Sequence, residues 1–370
     1  MEMSMDNSSK KVLIAGCGNI GSFTVSFIAR DPLVKKIVIV DHDDVEEKNL
    51  SCQDFCKADI GRKKSDVAAG KLRDTRPNLD VEYICDRVQN LPLGKFRCDV
   101  ILGCFDNNAA RQYLSETAFM LGIPYIDAGV NADGENWLAR VNVYIPGADT
   151  APCHQCGWGK MHYEQLEQEY PCGNGNVPAA INSPSFLGAQ AAAVQAAECA
   201  KVLRGEADRI AAGRQIMFDM SFNKYYVTKL APNPNCRFDH NILQVEMLDR
   251  GPFEITVGSA MKLGGGQGSI GSLELWGGRA FFCGSYNCRK CGSKDDVLSA
   301  SVLFPDKYCE HCGTKNDPES LELVPRLNAE TLPGFLLSKP LGDIGLRAGD
   351  VFSVTNGNMV RKNFEIGDLT

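Results

Sequence analysis

Four cysteines towards the C-terminal end form the strongest chemical pattern in the chain. Cys288-x-x-Cys291 and Cys309-x-x-Cys312 make a C-x2-C…C-x2-C set. The stretch between the pairs falls in the range of about 15–20 residues used by zinc ribbons. Four thiolates fill a tetrahedral zinc ion and leave no open position, so the chemistry expected there is structural. A different chemistry is written near the N-terminus. Gly16, Gly18 and Gly21 follow a short apolar run as G-x-G-x-x-G. Such glycines let backbone approach a phosphate at a helix N-terminus. Asp41 stands about twenty residues beyond Gly21, where a carboxylate can accept the hydrogens of ribose hydroxyls. Glycine turns also serve packing, so the pattern points to a nucleotide without saying which one.

The elements that must carry these residues are legible from periodicity. Val12–Ala15 reads as a strand, Ile20–Arg30 as a helix and Ile37–Val40 as a second strand ending at Asp41. A helix over Asp66–Arg73, strands over Val81–Cys85 and Val100–Cys104, a helix over Ala109–Leu121 and a strand over Pro124–Ala128 follow. Strands alternating with helices imply an α/β fold, a Rossmann-like, mostly parallel sheet with helices on both faces. Ligands on such sheets sit beyond the strand C-termini, where Gly16, Asp41 and Asp106 are expected. Trp137–Ile145 alternates as a strand, Gly147–Pro184 reads as loop, Leu187–Leu203 as an alanine-rich buried helix, and Ile216–Met220 with Tyr225–Leu230 as two strands. From about Ile242 helical periodicity fades. The expected division is a domain over 1–240 and a small β-rich domain with the zinc ribbon over 241–370.

Composition narrows the function classes. The chain has 370 residues, 44% hydrophobic, with a net charge of -7. That charge argues against a general nucleic-acid binder. No apolar run approaches the length of a membrane span, and the first ten residues carry no signal-peptide core. A cytoplasmic protein with no membrane partner is the expectation. Sixteen cysteines, several spaced C-x-x-C, then indicate metal binding or catalysis rather than disulfides. Cys17, Cys85, Cys98, Cys104 and Cys199 fall in expected strands and helices and read as core.

Several separated segments match one family in order. They are Val40-Asp41-His42-Asp43-Asp44-Val45-Glu46, then Asn49-Leu50 and Gln53, then Gly61-Arg62-Lys63-Lys64, then Cys104-Phe105-Asp106-Asn107 and Arg111. Over roughly residues 11–240 the chain resembles the ubiquitin-activating-enzyme superfamily, whose bacterial relatives are ThiF, MoeB and HesA. The resemblance implies ATP-dependent adenylation of the C-terminal glycine of a ubiquitin-like protein. Thioester formation on a loop cysteine and transfer to a conjugating enzyme would follow. The alternative it implies is activation of a sulfur-carrier protein for thiamine or molybdopterin-type sulfur transfer. By the same resemblance Asp41 holds the ribose, Asp43 belongs to the cofactor-binding set, Asn49 and Gln53 line the phosphate side, Lys64 contacts phosphate and Asp106 carries Mg²⁺. A homodimer is implied too. A C-terminal carboxylate, with a pKa of about 3.5, is ionised at neutral pH and needs no strong base to attack. The difficulty is bringing one anion to another, which positive charge would offset.

The resemblance also implies a second zinc site. Cys153-x-x-Cys156 is similar to the first half of the family's metal site, and Cys236 with His240 stands where the second half belongs. Together they would make a Cys₃His site. His154 and His311 read as spacers inside their C-x-x-C pairs. Cys172, in a glycine-rich stretch, is the candidate thioester nucleophile. Two departures from the family pattern stand out. Cys52 occupies a position usually taken by arginine, and residues 1–10 contain no arginine. Arg62, Arg111 or a partner protein would then have to supply charge to the phosphates. Two other classes fit part of the pattern. An NAD-dependent dehydrogenase explains the glycines and Asp41 but not Asp43, Asn49, Lys64 or Asp106. A degenerate scaffold would bind a modifier without activating it.

Overall fold

The computed structural model describes residues 9–133, 135–147, 151–169, 183–264, 270–301, 308–309, 311–315, 321–330, 332–356 and 360–368. The chain divides into two compact units. One comprises Met1–Val88 and Phe96–Ile242; the other comprises Gln89–Lys95 and Leu243–Thr370. Among the described residues no helix is long and apolar enough to cross a membrane.

The first unit is built on β1 (Lys10–Ala15), α1 (Gly21–Ile28), β2 (Val34–Val40), α2 (Lys64–Thr75), β3 (Asp80–Ile84), β4 (Val100–Gly103), α3 (Asn108–Met120), β5 (Tyr125–Asp133), β6 (Asn136–Tyr144), α4 (Lys160–Glu169), α5 (Ser185–Leu203), β7 (Arg214–Asp219) and β8 (Lys224–Lys229). Its eight strands form one sheet in the order β3-β2-β1-β4-β5-β6-β7-β8. β3, β2, β1, β4 and β5 run parallel. β6, β7 and β8 extend them as antiparallel neighbours. The apolar runs of β1, β2 and β4 are buried because helices cover both faces of a parallel sheet. The strand order reverses between β1 and β4, and the crevice beyond the C-termini of these two strands is the switch point where such sheets take ligands.

The two faces of β5 show how the helices are held. Ile126 and Ala128 join the core under α5, with Ala191, Ala192 and Cys199. The alternate residue, Asp127, meets Arg111 of α3. Gln195 of α5 is fully buried and bonds on both sides of its amide. Its Nε2 donates to the backbone oxygens of Gly103 at 3.0 Å and Ile126 at 2.8 Å, and its Oε1 accepts from Thr24 Oγ1 at 3.0 Å. One side chain thus ties α5, β4, β5 and α1 together, and a buried amide is tolerated because it is satisfied.

The structure differs from the sequence expectation in one long stretch. The expected loop 147–184 contains the helix α4. Its sequence KMHYEQLEQE lacks Gly and Pro and is rich in helix formers. Tyr163 is buried while Lys160, Met161, His162, Glu164 and Gln165 are exposed. The helix therefore has no apolar stripe for periodicity to detect.

The second unit holds a five-stranded and a three-stranded sheet. The larger runs β14 (Arg326–Leu327), β10 (Ser272–Leu275), β15 (Val351–Thr355), β16 (Arg361–Glu365), β9 (Val245–Met247). The smaller runs β12 (Lys294–Ser301), β11 (Ala280–Asn287), β13 (Leu321–Val324). Short helices α6 (Val257–Lys262) and α7 (Gly334–Leu337) help close a core that includes Ile255, Leu273, Phe281, Phe352 and Phe364. Gln89–Lys95 belongs to this unit through its backbone: Gly94 N–H donates to Gly349 O at 2.8 Å, and Asn90 O accepts from the Arg347 guanidinium.

Replacing Gln195 by Leu keeps volume but removes the amide's bonds to the Gly103 and Ile126 carbonyls and to Thr24, each worth about 0.5–1.5 kcal/mol net. The variant is expected to unfold at lower urea with an unchanged slope. An unchanged midpoint would show that the amide does not hold these elements.

Candidate functional site

The glycine turn closes on itself. Gly16 adopts a φ of +92°, and a Cβ on it would lie 2.8 Å from the Cys104 carbonyl oxygen. A Cβ on Gly21 would sit 1.8 Å from the Gly16 carbonyl oxygen, so α1 can begin this close to β1 only with glycine there. Gly18 is different: a Cβ on it would meet only Gln53 Nε2, at 4.0 Å, which leaves space above the turn. Gln53 Oε1, on the same amide, is buried with no hydrogen-bond partner among the described residues.

Asp41 locks this turn to the end of β2. Its Oδ2 accepts from Cys17 N–H at 2.5 Å and its Oδ1 from Asp43 N–H at 2.8 Å. Burial pushes its pKa up, against the pull of these two N–H groups. Each oxygen retains acceptor capacity for a hydroxyl. Ser65 Oγ donates to the Asp41 backbone oxygen at 2.9 Å, bringing α2 to the same place. Lys64, also buried, reaches Asp43 with Nζ at 3.1 Å from Oδ2. Burial would raise Asp43, yet Lys64, His42 and Lys63 hold it below the usual carboxylate range. Asn49 is buried in a short 3-10 turn, where its Oδ1 accepts from Glu46 N–H at 2.8 Å. Ser22 Oγ of α1 accepts from Asp54 N–H at 3.0 Å, so the turn carrying Asn49 and Gln53 is fastened to the glycine helix.

Asp106 is exposed just beyond β4, with Asn107 Nδ2 at a long 3.4 Å. Asn107 caps α3 by accepting from Ala110 N–H at 2.8 Å. Arg111 does not point free into the cleft. Its guanidinium is buried on Asp127, with Nη1 at 2.6 and 2.5 Å from the two carboxylate oxygens, and it also donates to the Phe105 backbone oxygen. Arg62 is exposed and paired with Asp66 at 3.0 Å and Asp59 at 3.7 Å. Neither arginine named from the sequence as a source of phosphate charge is unpaired. Cys52 is buried behind the turn, its Sγ 3.8 Å from Asn49 O.

Two cysteine clusters assemble. In the first unit Cys153, Cys156, Cys236 and His240 bring their ligand atoms within 4.8 Å of one another. Cys153 Sγ lies 3.8 Å from Cys156 Sγ and 3.6 Å from Cys236 Sγ, and His240 Nε2 lies 3.3 Å from Cys156 Sγ. A tetrahedral zinc ion with Zn–S bonds of about 2.3 Å places its sulfurs about 3.8 Å apart. The donor set and spacing therefore fit zinc. His240 has a left-handed φ of 56°, and its ring packs 5.2 Å from Phe119 and 5.3 Å from Phe238. In the second unit Cys288 lies 3.5 Å from Cys312, and Cys291 3.5 Å from Cys309. The two loops repeat one pattern. Cys288 N–H bonds Ser293 O and Gly292 N–H bonds Cys288 O; Cys309 N–H bonds Thr314 O and Gly313 N–H bonds Cys309 O, all at 2.8–2.9 Å. Gly292 and Gly313, with φ of 73° and 68°, turn each loop.

Other expectations resolve residue by residue. Cys17, Cys104 and Cys199 are buried, whereas Cys85 is exposed and contacts Ser65 Oγ at 3.3 Å. Cys85 lies one residue past β3, at the rim, where the protective alternation of the strand has ended. His154 is no ligand: Tyr144 OH sits 3.3 Å from its Nδ1, and burial holds its pKa down to about 4. Cys172 lies outside the described residues. Asp127, Arg140 and Gln195 carry structure at the cleft but drew no notice in the sequence, since a lone acid, arginine or glutamine in an apolar segment has no spacing signature.

Comparison with known proteins bears on the same region. The model of the ThiF family matches residues 5–238, more than half of the chain. The SAMP-activating enzyme E1 of Haloferax volcanii is 26% identical over 62% of this chain and 79% of that protein. The sulfur carrier protein ThiS adenylyltransferase of Escherichia coli K12 is 29% identical over 42% of this chain and 63% of its own length. The adenylyltransferase and sulfurtransferase UBA4 of Yarrowia lipolytica is 29% identical over 41% of this chain, and the match spans only 37% of that protein. The crystal structure of E. coli MccB superposes with a TM-score of 0.50 at 22% identity, over 64% of this chain and 66% of that one, a likeness of fold alone.

The Asp127 cluster predicts a pH dependence. Burial raises the Asp127 pKa, but Arg111 and Arg140 outweigh it and hold the group below the usual range. A carboxylate with a lowered folded-state pKa stabilises above its unfolded value, about 4, and loses that contribution as pH falls through the folded value. Asp127→Asn is expected to cost about 3–5 kcal/mol at neutral pH. Its stability should also fall less steeply than wild type in acid. Parallel pH profiles from denaturant titrations would contradict the assignment.

Proposed function

The chain belongs to the ThiF family, and from that premise we propose that it is an adenylyltransferase activating the C-terminal glycine of a ubiquitin-like or sulfur-carrier protein with ATP. The observation that carries the reading is the set at the C-terminal edge of β1, β2 and β4: a glycine turn bonded to Asp41, the Lys64–Asp43 pair, and the exposed carboxylate of Asp106. The archaeal relative is named as a SAMP-activating enzyme, the bacterial one as an adenylyltransferase of the sulfur carrier protein ThiS, and the fungal one as an adenylyltransferase and sulfurtransferase.

In this reading Asp41 accepts the ribose hydroxyls with the lone pairs its backbone partners leave. The space over Gly18 admits the phosphates to backbone N–H groups at the start of α1. The unpartnered Gln53 Oε1 takes a donor from that side. Lys64, held by Asp43, keeps positive charge beside the phosphates. Asp106 offers a hard oxygen of the kind magnesium prefers. When bound, magnesium neutralises polyphosphate charge and so favours attack by an anion. The substrate carboxylate oxygen forms a bond to the α-phosphorus as the bond to the pyrophosphate oxygen breaks. The thiolate of Cys172 then bonds to the acyl carbon and AMP leaves, giving a thioester for a conjugating partner. A homodimer in the cytoplasm is the working form we propose. Zinc at Cys153, Cys156, Cys236 and His240, and at Cys288, Cys291, Cys309 and Cys312, supplies cross-links and no reactive position.

ATP–pyrophosphate exchange should depend on a β-grasp protein ending in glycine. Asp106→Asn is expected to lower it by about 10²–10³-fold. Cys172→Ala should keep the exchange and lose the thiol-reducible adduct with that protein. Exchange without any acceptor protein, or adduct persisting in Cys172→Ala, would defeat the corresponding step.

The metal assignment has its own measurement. Cys236→Ser is expected to lose about one zinc per chain by elemental analysis, since three remaining ligands hold zinc less tightly. An unchanged metal content would remove that site.

A further inference from the structure

Beside Asp106 lies a cluster whose charges do not cancel. Asp127, fully buried, faces two guanidinium groups. Arg111 takes both of its oxygens at 2.5–2.6 Å, while Arg140 of β6 reaches Oδ2 only at 3.4 Å. Tyr125 OH donates to Asp127 Oδ1 at 3.1 Å and adds no charge. Among the described residues one positive charge is left over. It resides on Arg140, whose side chain is 32% exposed against 6% for Arg111. Partial burial and then Arg111 hold the Arg140 pKa below the usual arginine range. The chain makes room for this crowding. A Cβ on Gly129, opposite Arg140 in the ladder, would lie 3.0 Å from Arg140 Nε and 3.2 Å from Arg111 Nη2.

Register and strand order locate the surplus. Gly103, the last residue of β4, pairs with Asp127, and Gly129 two residues on pairs with Arg140. Arg140 thus stands at the level of the β4–α3 turn that carries Asp106. Arg111 Nη2 links the cluster to that turn through the Phe105 carbonyl. Across the sheet edge the order is Asp41 on β2, the glycine turn after β1, Asp106 after β4, then Arg140 on β6. A nucleotide laid from Asp41 over the glycine turn brings its phosphates to Asp106 from one side. In strand order Arg140 lies on the other side of Asp106 from the glycine turn, the side this reading leaves for the acyl substrate.

We propose that Arg140 is a substrate-binding residue that receives the C-terminal carboxylate of the protein to be adenylated, oriented for that role by Asp127. The guanidinium presents paired N–H donors matched to a carboxylate. It holds the attacking anion next to the phosphates without neutralising it by proton transfer, because arginine stays protonated.

This rests on the adenylation reading, and the experiment separates the two. The probe is a β-grasp protein ending in Gly-Gly, as free acid and with a C-terminal amide, used with full-length wild type, Arg140→Gln and Arg140→Lys. In pyrophosphate exchange, Arg140→Gln should raise KM for the free acid at least about tenfold and leave KM for ATP within about twofold. Competition should show wild type preferring the acid over the amide and Arg140→Gln binding both alike. Arg140→Lys, which keeps the charge, should restore part of the preference and controls for folding. An unchanged KM and acid preference in Arg140→Gln would overturn the proposal. So would a rise in KM for ATP of the same size, which would assign the charge to the polyphosphate. Wild type showing no exchange with any glycine-ended protein would instead remove the adenylation reading itself.

Discussion

Asp41 reaches from the end of one strand to the backbone of its neighbour, and the cleft takes its form from that bond. The contact with Cys17 N–H holds the glycine turn against β2 at 2.5 Å. Gly16 N–H repeats the connection by donating to Val40 O at 2.8 Å. Because Gly21 has no Cβ, α1 can start against the Gly16 carbonyl. The helix therefore begins at the crevice rather than a turn away from it. Ser22, Asp54 and Lys71 extend the same fastening to the segment bearing Asn49 and Gln53. A carboxylate already bonded to two backbone N–H groups is held in one orientation.

The second theme is the allotment of charge. Lys64 is matched to Asp43, Arg62 to Asp59 and Asp66, and Lys63 to Asp44. Such pairing keeps cations at a cleft without leaving them to repel one another. The cluster at Asp127 breaks the pattern, with two guanidinium groups on one carboxylate. Charge matched in the resting protein positions side chains; in the role proposed for Arg140, the second guanidinium would receive an anion.

The parts of this molecule that could be read in advance share a cause. A parallel sheet covered on both faces writes continuous apolar runs, so β1, β2 and β4 were legible, and with them the ends where Gly16, Asp41 and Asp106 sit. Cysteine clusters write themselves as spacing, since a short loop between two cysteines suits the ligand set of a tetrahedral ion. α4 was not legible because a solvated helix has no apolar side. Gln195 and Asp127 were not legible because their partners, Gly103, Ile126 and Arg111, are brought to them only by the sheet. Cys85 was misassigned to the core because alternation predicts burial within a strand and says nothing one residue past its end.

The way Gln89–Lys95 joins the second unit has a consequence for how such a chain can be divided or inherited. Seven residues that close that unit around Gly349 and Arg347 are encoded within the stretch that otherwise builds the first. A fragment starting at Leu243 would omit a piece of its own architecture. A single crossover between genes could not exchange this module intact, and descent should keep both units together or replace them at two places at once.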